Sequence, residues 1–241
     1  NDYPDTEIKV FATAIFRKMS KTALRKLSDK ILQITGLHFG VISQELEGFY
    51  LEQALSARYI SNKPLLLINI GGGSTELIIK QDGEITERVY LELGVRTVLT
   101  RFPHINDEIS KYSLEEVLKF VKTKLPQKTI ATPVAIYNGD ELTYMEVAGY
   151  DLDKNEVFED IDHPKMISLA KFQARNREIF QSVQLSELEK YMPEDPLWIH
   201  GARACSAIAQ AICERFQVKT IVPSDSNTVH GMIRQELLVR D

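Results

Sequence analysis

The stretch that decides the fold is residues 65–77, which read LLLINIGGGSTEL. The apolar run 65–69 predicts a buried strand, and residues 77–79 predict a second strand that follows a glycine loop. The Asp82-Gly83 pair then indicates a turn. This order of strand, loop and strand matches neither the dinucleotide fingerprint nor the nucleotide-triphosphate P-loop, since both continue into a helix.

The glycine loop predicts a backbone site for an anion. Gly71, Gly72 and Gly73 lack a Cβ, so consecutive N–H groups can point at one anion. Ser74 and Thr75 add hydroxyl donors. A tight hairpin turn without a ligand is the alternative, and a triple glycine taken alone favours that alternative.

Composition indicates a soluble globular protein. The 241 residues suit one large domain or two small ones. No apolar run reaches about 18 residues, so no membrane span is expected, and residues 1–5 lack the features of a signal peptide. The net charge of -5 argues against a general nucleic-acid binder. Cys205 and Cys213 lie about 12 Å apart on a predicted helix, too far for a disulfide, and free thiols fit a reducing cytoplasm.

Helical and strand patterns alternate along the chain, which predicts an α/β fold. Strands are predicted at 10–16, 37–43, 65–69, 77–79, 85–93, 132–137, 197–199 and 219–222. Helices are predicted at 23–34, from 44, from 94, within 106–124, and at 167–180, 186–191, 202–216 and 229–239. Ser20-Lys21-Thr22 caps the first of these helices, and Gly36 stops it. Residues 142–149 fit either state, and residues 151–164 read as an acidic surface loop.

Two other stretches complete a possible hydrolytic set. Residues 42–48 form a strand that delivers Glu47 to a helix start, and residues 12–17 form a strand that delivers Arg17. An anion loop and an Arg stabilise charge on a transferred phosphate, while a carboxylate orients and deprotonates water. The alternatives are a Glu47 that only complements the helix dipole, worth about 0.3–1 kcal/mol, and an Arg17 that is a solvated charge.

With these residues the sequence resembles the exopolyphosphatase / guanosine pentaphosphate phosphohydrolase (Ppx/GppA) family, of the actin–sugar kinase–Hsp70 superfamily. The family's Asp-Ile-Gly-Gly-Gly-Ser-Thr-Glu-Leu motif matches residues 69–77 at all but the first place. Thr13 and Arg17 match its Thr and Arg strand, residues 42–48 loosely match its Ile-Ser-Gly-x-Glu-Glu-Ala stretch, and residues 93–96 match its Leu-Gly-x-x-Arg stretch. The likeness covers nearly the whole chain and fades between about residues 134 and 164.

The resemblance implies two actin-like (ribonuclease H-like) lobes with a cleft between them, the first lacking its N-terminal portion. Residues 1–61 with 226–241 would form the first lobe and residues 62–225 the second. The implied activity is cytoplasmic hydrolysis of a terminal phosphoanhydride, in polyphosphate or guanosine pentaphosphate, with Mg²⁺. Dimers are common in the family, so a homodimer is a candidate assembly, with no nucleic-acid or membrane partner.

The same resemblance implies roles for individual residues. Glu47 would be the catalytic base and Arg17 a phosphate ligand. Glu76 would be a metal or water-network carboxylate, with an outward-facing strand residue as the alternative, and Asn69 stands at the position of a metal-binding Asp. The second phosphate loop would be Gly71, Gly72, Gly73, Ser74 and Thr75.

Several positions depart from the family pattern. Asn69 keeps one oxygen but loses the charge of the family's Asp, so metal affinity should fall. Residues 138–143 carry two carboxylates that would repel a polyphosphate tail, and the family's first phosphate loop has no counterpart. The alternative function is therefore a catalytically impaired module of the same fold that binds a phosphate-rich ligand. A sugar-kinase-like phosphotransferase is a third hypothesis, which Glu47 disfavours because such kinases usually present an Asp base.

Overall fold

The structure, a computed structural model, describes residues 8–240, without the side chains of residues 14, 15 and 236–240. Residues 1–5, from which no signal peptide is predicted, lie outside the described residues. Two compact units are present: the described residues up to Gln53 together with those from Thr228, and Ala54–Asn227. In the described part of the chain, no helix has the length and apolar character needed to span a membrane.

Strands and helices alternate as the sequence predicts, so the α/β class is confirmed. The strands are β1 Val10–Ala12, β2 Phe39–Val41, β3 Leu65–Ile70, β4 Thr75–Gln81, β5 Glu84–Leu91, β6 Val134–Asn138, β7 Asp153–Lys154, β8 Lys165–Ser168 and β9 Thr220–Ser224. The helices are α1 Ala14–Arg17, α2 Lys21–Thr35, α3 Gln44–Ser56, α4 Val95–Arg101, α5 Leu114–Lys122, α6 Glu141–Val147, α7 Leu169–Gln181, α8 Leu185–Glu189, α9 Ala202–Arg215 and α10 Thr228–Arg240, with one 3₁₀ turn at Trp198–Gly201.

The first unit pairs β1 and β2 in parallel. The predicted strand over residues 10–16 is wrong in its second half: the chain leaves β1 after Ala12 and turns into α1, where the Phe16 amide donates to the Thr13 carbonyl at 2.9 Å. An apolar run of this length fits a strand or a helical turn, and only the residues that face β2 gain a ladder partner. Arg17 therefore ends a short helix and does not follow a strand.

Helix ends in the first unit follow the predicted signals. The Ser20 hydroxyl accepts from the Ala23 amide at 3.2 Å, and Gly36, with φ of 73°, ends α2 in the left-handed conformation. Helices α3 and α10 approach closely at Gly231, where a Cβ would collide with the Tyr50 carbonyl. Their contact is fixed by Arg234, which donates to the Gln53 carbonyl at 3.0 Å.

The second unit is built on a seven-stranded sheet of order β5-β4-β3-β6-β9-β8-β7. Strands β3, β4 and β5 are antiparallel, while β6 and β9 run parallel to β3. The first five strands of this order, β5-β4-β3-β6-β9, have the strand order of a ribonuclease H-like lobe. The predicted glycine hairpin is confirmed by the antiparallel pairing of β3 and β4. The predicted turn after β4 is confirmed as well, since Asp82 and Gly83 take positive φ values of 52° and 85° between β4 and β5.

Helix α9 covers one face of this sheet and contacts β3, α4, α5 and α7. Its small residues let it pack closely, and most of them are buried. The buried Arg203 on α9 donates to the carbonyls of Ile105, Asp107, Glu108 and Val183 at 2.7–3.1 Å, which holds two loops against the helix. The predicted free thiols lie on the same helix. Cys213 is fully buried, and burial raises the pKa of its thiol far above the usual range.

In the second unit, the helix predicted at 167–180 is confirmed except for its first two residues, whereas the strand predicted at 197–199 is wrong. Residues 165–168 form β8, and α7 begins only after Ser168, whose hydroxyl accepts from the Lys171 amide at 3.3 Å. Residues 197–199, predicted as a strand, enter the 3₁₀ turn, in which the His200 amide donates to the Leu197 carbonyl at 3.2 Å. Three apolar residues are too few to separate a strand from a turn. Most of the undecided stretch 142–149 belongs to helix α6, which ends at Val147.

The acidic stretch 151–164 is more than a surface loop. It contains β7 and ends in a buried hydrogen-bonded chain, in which His163 lies 3.0 Å from Asp160 and 2.9 Å from the Ser224 hydroxyl. Because Ser224 ends β9, this chain ties the loop to the sheet. His163 is thus a fully buried core histidine.

Candidate functional site

The glycine hairpin between β3 and β4 is held from behind by the start of α4. The carbonyls of Gly71 and Gly72 accept hydrogen bonds from the amides of Val95 and Arg96, at 3.1 and 2.8 Å. None of the described peptide bonds is cis, and in a trans peptide the C=O and N–H groups point in opposite directions. The amides of Gly72 and Gly73 therefore point away from α4.

These amides are free to meet a ligand. Gly72, Gly73 and Ser74 are exposed, and within the described residues their N–H groups donate to no acceptor. Consecutive N–H groups that face one direction form a concavity that binds anions. The hairpin is thus an anion site by backbone geometry, with the exposed Ser74 hydroxyl beside it.

Gly94 makes this arrangement possible. A Cβ at Gly94 would lie 2.5 Å from the Gly71 carbonyl oxygen and 2.6 Å from the Ser74 nitrogen. The buried Thr75 hydroxyl donates to the Leu93 carbonyl at 2.6 Å and fixes the other side of the loop. The hydroxyl of Thr75, predicted to face a phosphate, is therefore used to hold the hairpin.

A row of polar side chains crosses the sheet next to the hairpin. Asn69 on β3 is paired in register with Glu76 on β4 and with Asn138 on β6, so all three side chains lie on one face of the sheet. Asn138 is buried, and its Oδ1 has no hydrogen-bond partner within the described part of the chain. The structure thus brings the two predicted metal-site residues together and adds a third oxygen donor.

These oxygens suit a hard cation such as Mg²⁺, which prefers carboxylate and carbonyl oxygens. The set contains one carboxylate, from Glu76, and two neutral amides. Among the described residues, no cluster of three or more His, Cys, Asp and Glu side chains could hold a metal. The residues therefore fit a weakly bound cation, in line with the loss of charge at Asn69.

Glu76 also has neighbours on β5. The Arg88 guanidinium lies 3.8 Å from its carboxylate. Tyr90, paired in register with Glu76, has a raised pKa, first because of partial burial and then because of the Glu76 charge. The Arg88 cation offsets part of the negative charge that Glu76 offers a metal ion.

In the first unit, the structure brings Arg17 and Glu47 together. The Arg17 guanidinium lies 2.6 Å from the Glu47 carboxylate, and the two side chains keep 24% and 16% of their surface exposed. Arg17 also donates to the Ile42 carbonyl at 3.3 Å. The Ser43 hydroxyl accepts from the Leu46 amide at 3.1 Å and caps α3, which places Glu47 in its first turn.

A cavity of about 260 Å³ opens beside the hairpin on the α9 side of the sheet. Glu141, the first residue of α6, lines it with only 4% of its surface exposed. Burial raises the pKa of this carboxyl to about 8, and hydrogen bonds from Tyr137 and Cys205 only partly oppose that shift. Its Oε1 lies 3.6 Å from the Cys205 sulfur, and its Oε2 has no hydrogen-bond partner within the described residues.

Sequence reasoning missed three of these groups. Arg88 lies in an alternating strand pattern and carries no motif. Asn138 precedes a glycine and reads as part of a turn, although it ends β6. In the sequence, Glu141 is predicted to be a loop carboxylate beside Asp140. The signal available for Asn138 is its position directly after the strand predicted at 132–137.

The comparisons with known proteins agree with this architecture. Residues 1–238 match the model of the Ppx/GppA phosphatase family. The chain is similar in structure to an exopolyphosphatase from Cytophaga hutchinsonii, with a TM-score of 0.77 and 17% identity over 98% of this chain and 76% of that one. It is also similar to an Aquifex aeolicus member of the Ppx/GppA family, with a TM-score of 0.73 and 18% identity over 100% and 77% of the two chains. At such identities the likeness establishes the fold, which is actin-like as predicted.

The packing of Gly94 gives a first testable prediction. Gly94→Ala should lower the free energy of unfolding by about 1–3 kcal/mol, because the added methyl group overlaps the hairpin backbone. Urea denaturation measures the change. Gly72→Ala is the matched control, since a Cβ there meets nothing within 4 Å, and it should be neutral or stabilise by up to about 1 kcal/mol. Equal effects of the two substitutions would contradict the proposed close approach.

The buried Glu141 predicts a pH-dependent stability. The folded protein holds this proton up to about pH 8, whereas the unfolded chain releases it near its ordinary pKa of 4.5. The folded state thus binds more protons between these values, and stability falls as the pH rises through that window. Relative to Glu141→Gln, the wild type should lose about 1.4 kcal/mol per pH unit there.

Urea denaturation at about pH 5 and about pH 8 measures this difference. Glu146→Gln, an exposed position on the same helix, is the control and should follow the wild type at both values. An equal change in unfolding free energy with pH for the wild type and Glu141→Gln would contradict the raised pKa of this carboxyl.

Proposed function

The chain belongs to the Ppx/GppA phosphatase family, and on that premise we propose that it hydrolyses a terminal phosphoanhydride bond in inorganic polyphosphate or guanosine pentaphosphate. The observation that carries the proposal is the hairpin, in which the amides of the exposed Gly72 and Gly73 point away from α4. Such amides stabilise the charge of a phosphate without any side chain.

In this proposal, Glu47 is the general base. The water oxygen forms a bond to the terminal phosphorus, the bridging P–O bond breaks, and the water proton passes to the Glu47 carboxylate. Arg17 is proposed as a phosphate ligand, as the family motif implies. Its ion pair with Glu47 would hold the carboxylate in place until substrate arrives. The leaving phosphate chain carries away the bond electrons.

The proposal includes a divalent cation. Members of the family generally depend on divalent metal ions, and Glu76, Asn69 and Asn138 are the residues that would hold one here. A bound cation would neutralise charge that develops on the phosphate oxygens. The neutral amides of Asn69 and Asn138 favour loose binding, so the expected requirement is for high concentrations of Mg²⁺.

Phosphate release tests the hydrolase proposal. Inorganic polyphosphate and guanosine pentaphosphate are supplied separately with Mg²⁺, and orthophosphate is measured over time. Glu47→Gln should slow release at least about 100-fold, because it removes the base but keeps the side-chain shape. Glu45→Gln, an exposed substitution in the same helix turn, is the control and should keep the wild-type rate. Full activity of Glu47→Gln would refute the assigned base.

A second candidate function is a module that binds a phosphate-rich ligand without turnover. The observation that favours it is Asn69, whose amide stands where a charged metal ligand is expected. If this is the function, Asn69→Asp should tighten Mg²⁺ binding, since a carboxylate adds a charge to the oxygen set. Isothermal titration with Mg²⁺ measures the change, and Asn62→Asp, in the segment that precedes β3, is the matched control.

The two candidate functions differ in the outcome of these assays. Phosphate release by the wild type that is lost in Glu47→Gln supports the hydrolase. Ligand binding with no release by the wild type, together with a gain of Mg²⁺ affinity in Asn69→Asp, supports the binding module. Unchanged metal and ligand binding in Asn69→Asp would count against it.

A further inference from the structure

The ion pair between Arg88 and Glu76 lies beside the polar row of Asn69, Glu76 and Asn138. Glu76 on β4 is paired in register with Tyr90 on β5, and Arg88 precedes Tyr90 by two residues. Side chains two residues apart on a strand share a face of the sheet, so Arg88 lies on the face of the polar row. Its Nη1 is 3.8 Å from the Glu76 Oε1, a distance that fits an ion pair but is too long for a hydrogen bond.

Little solvent reaches this ion pair. The side chains of Arg88 and Glu76 keep 24% and 10% of their surface exposed, and the buried Arg88 Nη1 has no hydrogen-bond acceptor within the described residues. Because water screens such a pair less than a pair on open surface, its attraction is stronger. The Arg88 Nη1 can nevertheless move away from Glu76 without breaking a hydrogen bond.

The charges around the polar row cancel before any cation binds. Glu76 is the one carboxylate of the row, Arg88 adds one positive charge beside it, and Asn69 and Asn138 are neutral. Tyr90 stays protonated at neutral pH, because partial burial and then the Glu76 charge raise the pKa of its hydroxyl. The affinity of oxygen sites for hard cations depends on the charge of their ligands. A divalent cation therefore meets no net negative charge here.

We propose that Arg88 is a positioning residue that holds the Glu76 carboxylate in the metal-free protein and competes with a divalent cation for it. Arg88 has to leave Glu76 before a cation can bind there, so the free protein takes up Mg²⁺ weakly. The inference rests on the proposed function in one respect, since that function places the catalytic cation at the polar row. It adds a regulation of that site by a residue that does not itself bind the metal ion.

Isothermal titration with Mg²⁺ alone tests the competition. Arg88→Met removes the positive charge and keeps an unbranched apolar stem. It should tighten Mg²⁺ binding at least about tenfold, because the Glu76 carboxylate is released to the cation. Arg88→Lys keeps the charge, so its affinity should stay closer to that of the wild type than to that of Arg88→Met. Glu76→Gln, added to Arg88→Met, should abolish the gain.

Arg177→Met is the matched control for overall charge. Arg177 is exposed on α7, and its replacement changes the net charge of the protein by the same amount. Its Mg²⁺ affinity should stay within about twofold of the wild type, because solvent screens distant charges. Urea denaturation midpoints verify that each variant is folded, and Arg88→Gln, which is also uncharged, repeats the test with a polar side chain.

Three results would overturn the inference. The first is equal Mg²⁺ affinity in the wild type and in the uncharged variants of Arg88, including a lack of measurable binding by all of them. The second is an equal gain in Arg88→Met and Arg88→Lys, which would assign the effect to shape. The third is an equal gain in Arg177→Met, which would assign it to net charge.

The outcome is independent of the hydrolase assay, because the titration contains no phosphate compound. A gain of Mg²⁺ affinity in Arg88→Met, with no phosphate release from either substrate by the wild type, would reject the hydrolase and keep the competition. Phosphate release by the wild type, with equal Mg²⁺ affinity in Arg88→Met and the wild type, would reject the competition and keep the hydrolase.

Discussion

Two backbone hydrogen bonds, from the Val95 and Arg96 amides to the Gly71 and Gly72 carbonyls, are the constraint on which the candidate site depends. They use two amides at the start of α4, which a helix cannot satisfy internally, and they turn the hairpin's carbonyls inward. The hairpin's own amides are thereby left facing outward. These two hydrogen bonds require α4 to lie close to the hairpin backbone, and only a glycine at position 94 allows that close approach.

Successive side chains of β3 and β6 point to opposite faces of the sheet, so apolar and polar side chains lie on different faces. Ile68 and Tyr137 belong to the hydrophobic core that includes α9, and the apolar cavity lies on the same side. Their neighbours in sequence, Asn69 and Asn138, face the opposite side and form the polar row with Glu76. The hairpin stands at the end of β3, where both sides can be reached.

Local signals in the sequence are sufficient to predict the hairpin, the helix caps and the turns. The triple glycine, Ser20, Gly36 and the Asp82-Gly83 pair each act within a few residues, so their effect is readable without the fold. Strand ends are harder to predict from the sequence, because the length of β1 depends on how much of β2 lies beside it. The same holds at the site. Asn138 joins Asn69 only through a parallel pairing between distant segments, and the burial of Glu141 contradicts the usual exposure of glutamate.

The position of Cys213 has a consequence for how the protein can be observed. Its thiol is fully buried on α9, and alkylating reagents react with an exposed thiolate. Modification of Cys213 therefore requires a local opening of the core around α9. The rate of its labelling in native protein reports the frequency of that opening event, in the manner of a slowly exchanging amide, and gives a measure of local unfolding beneath the site.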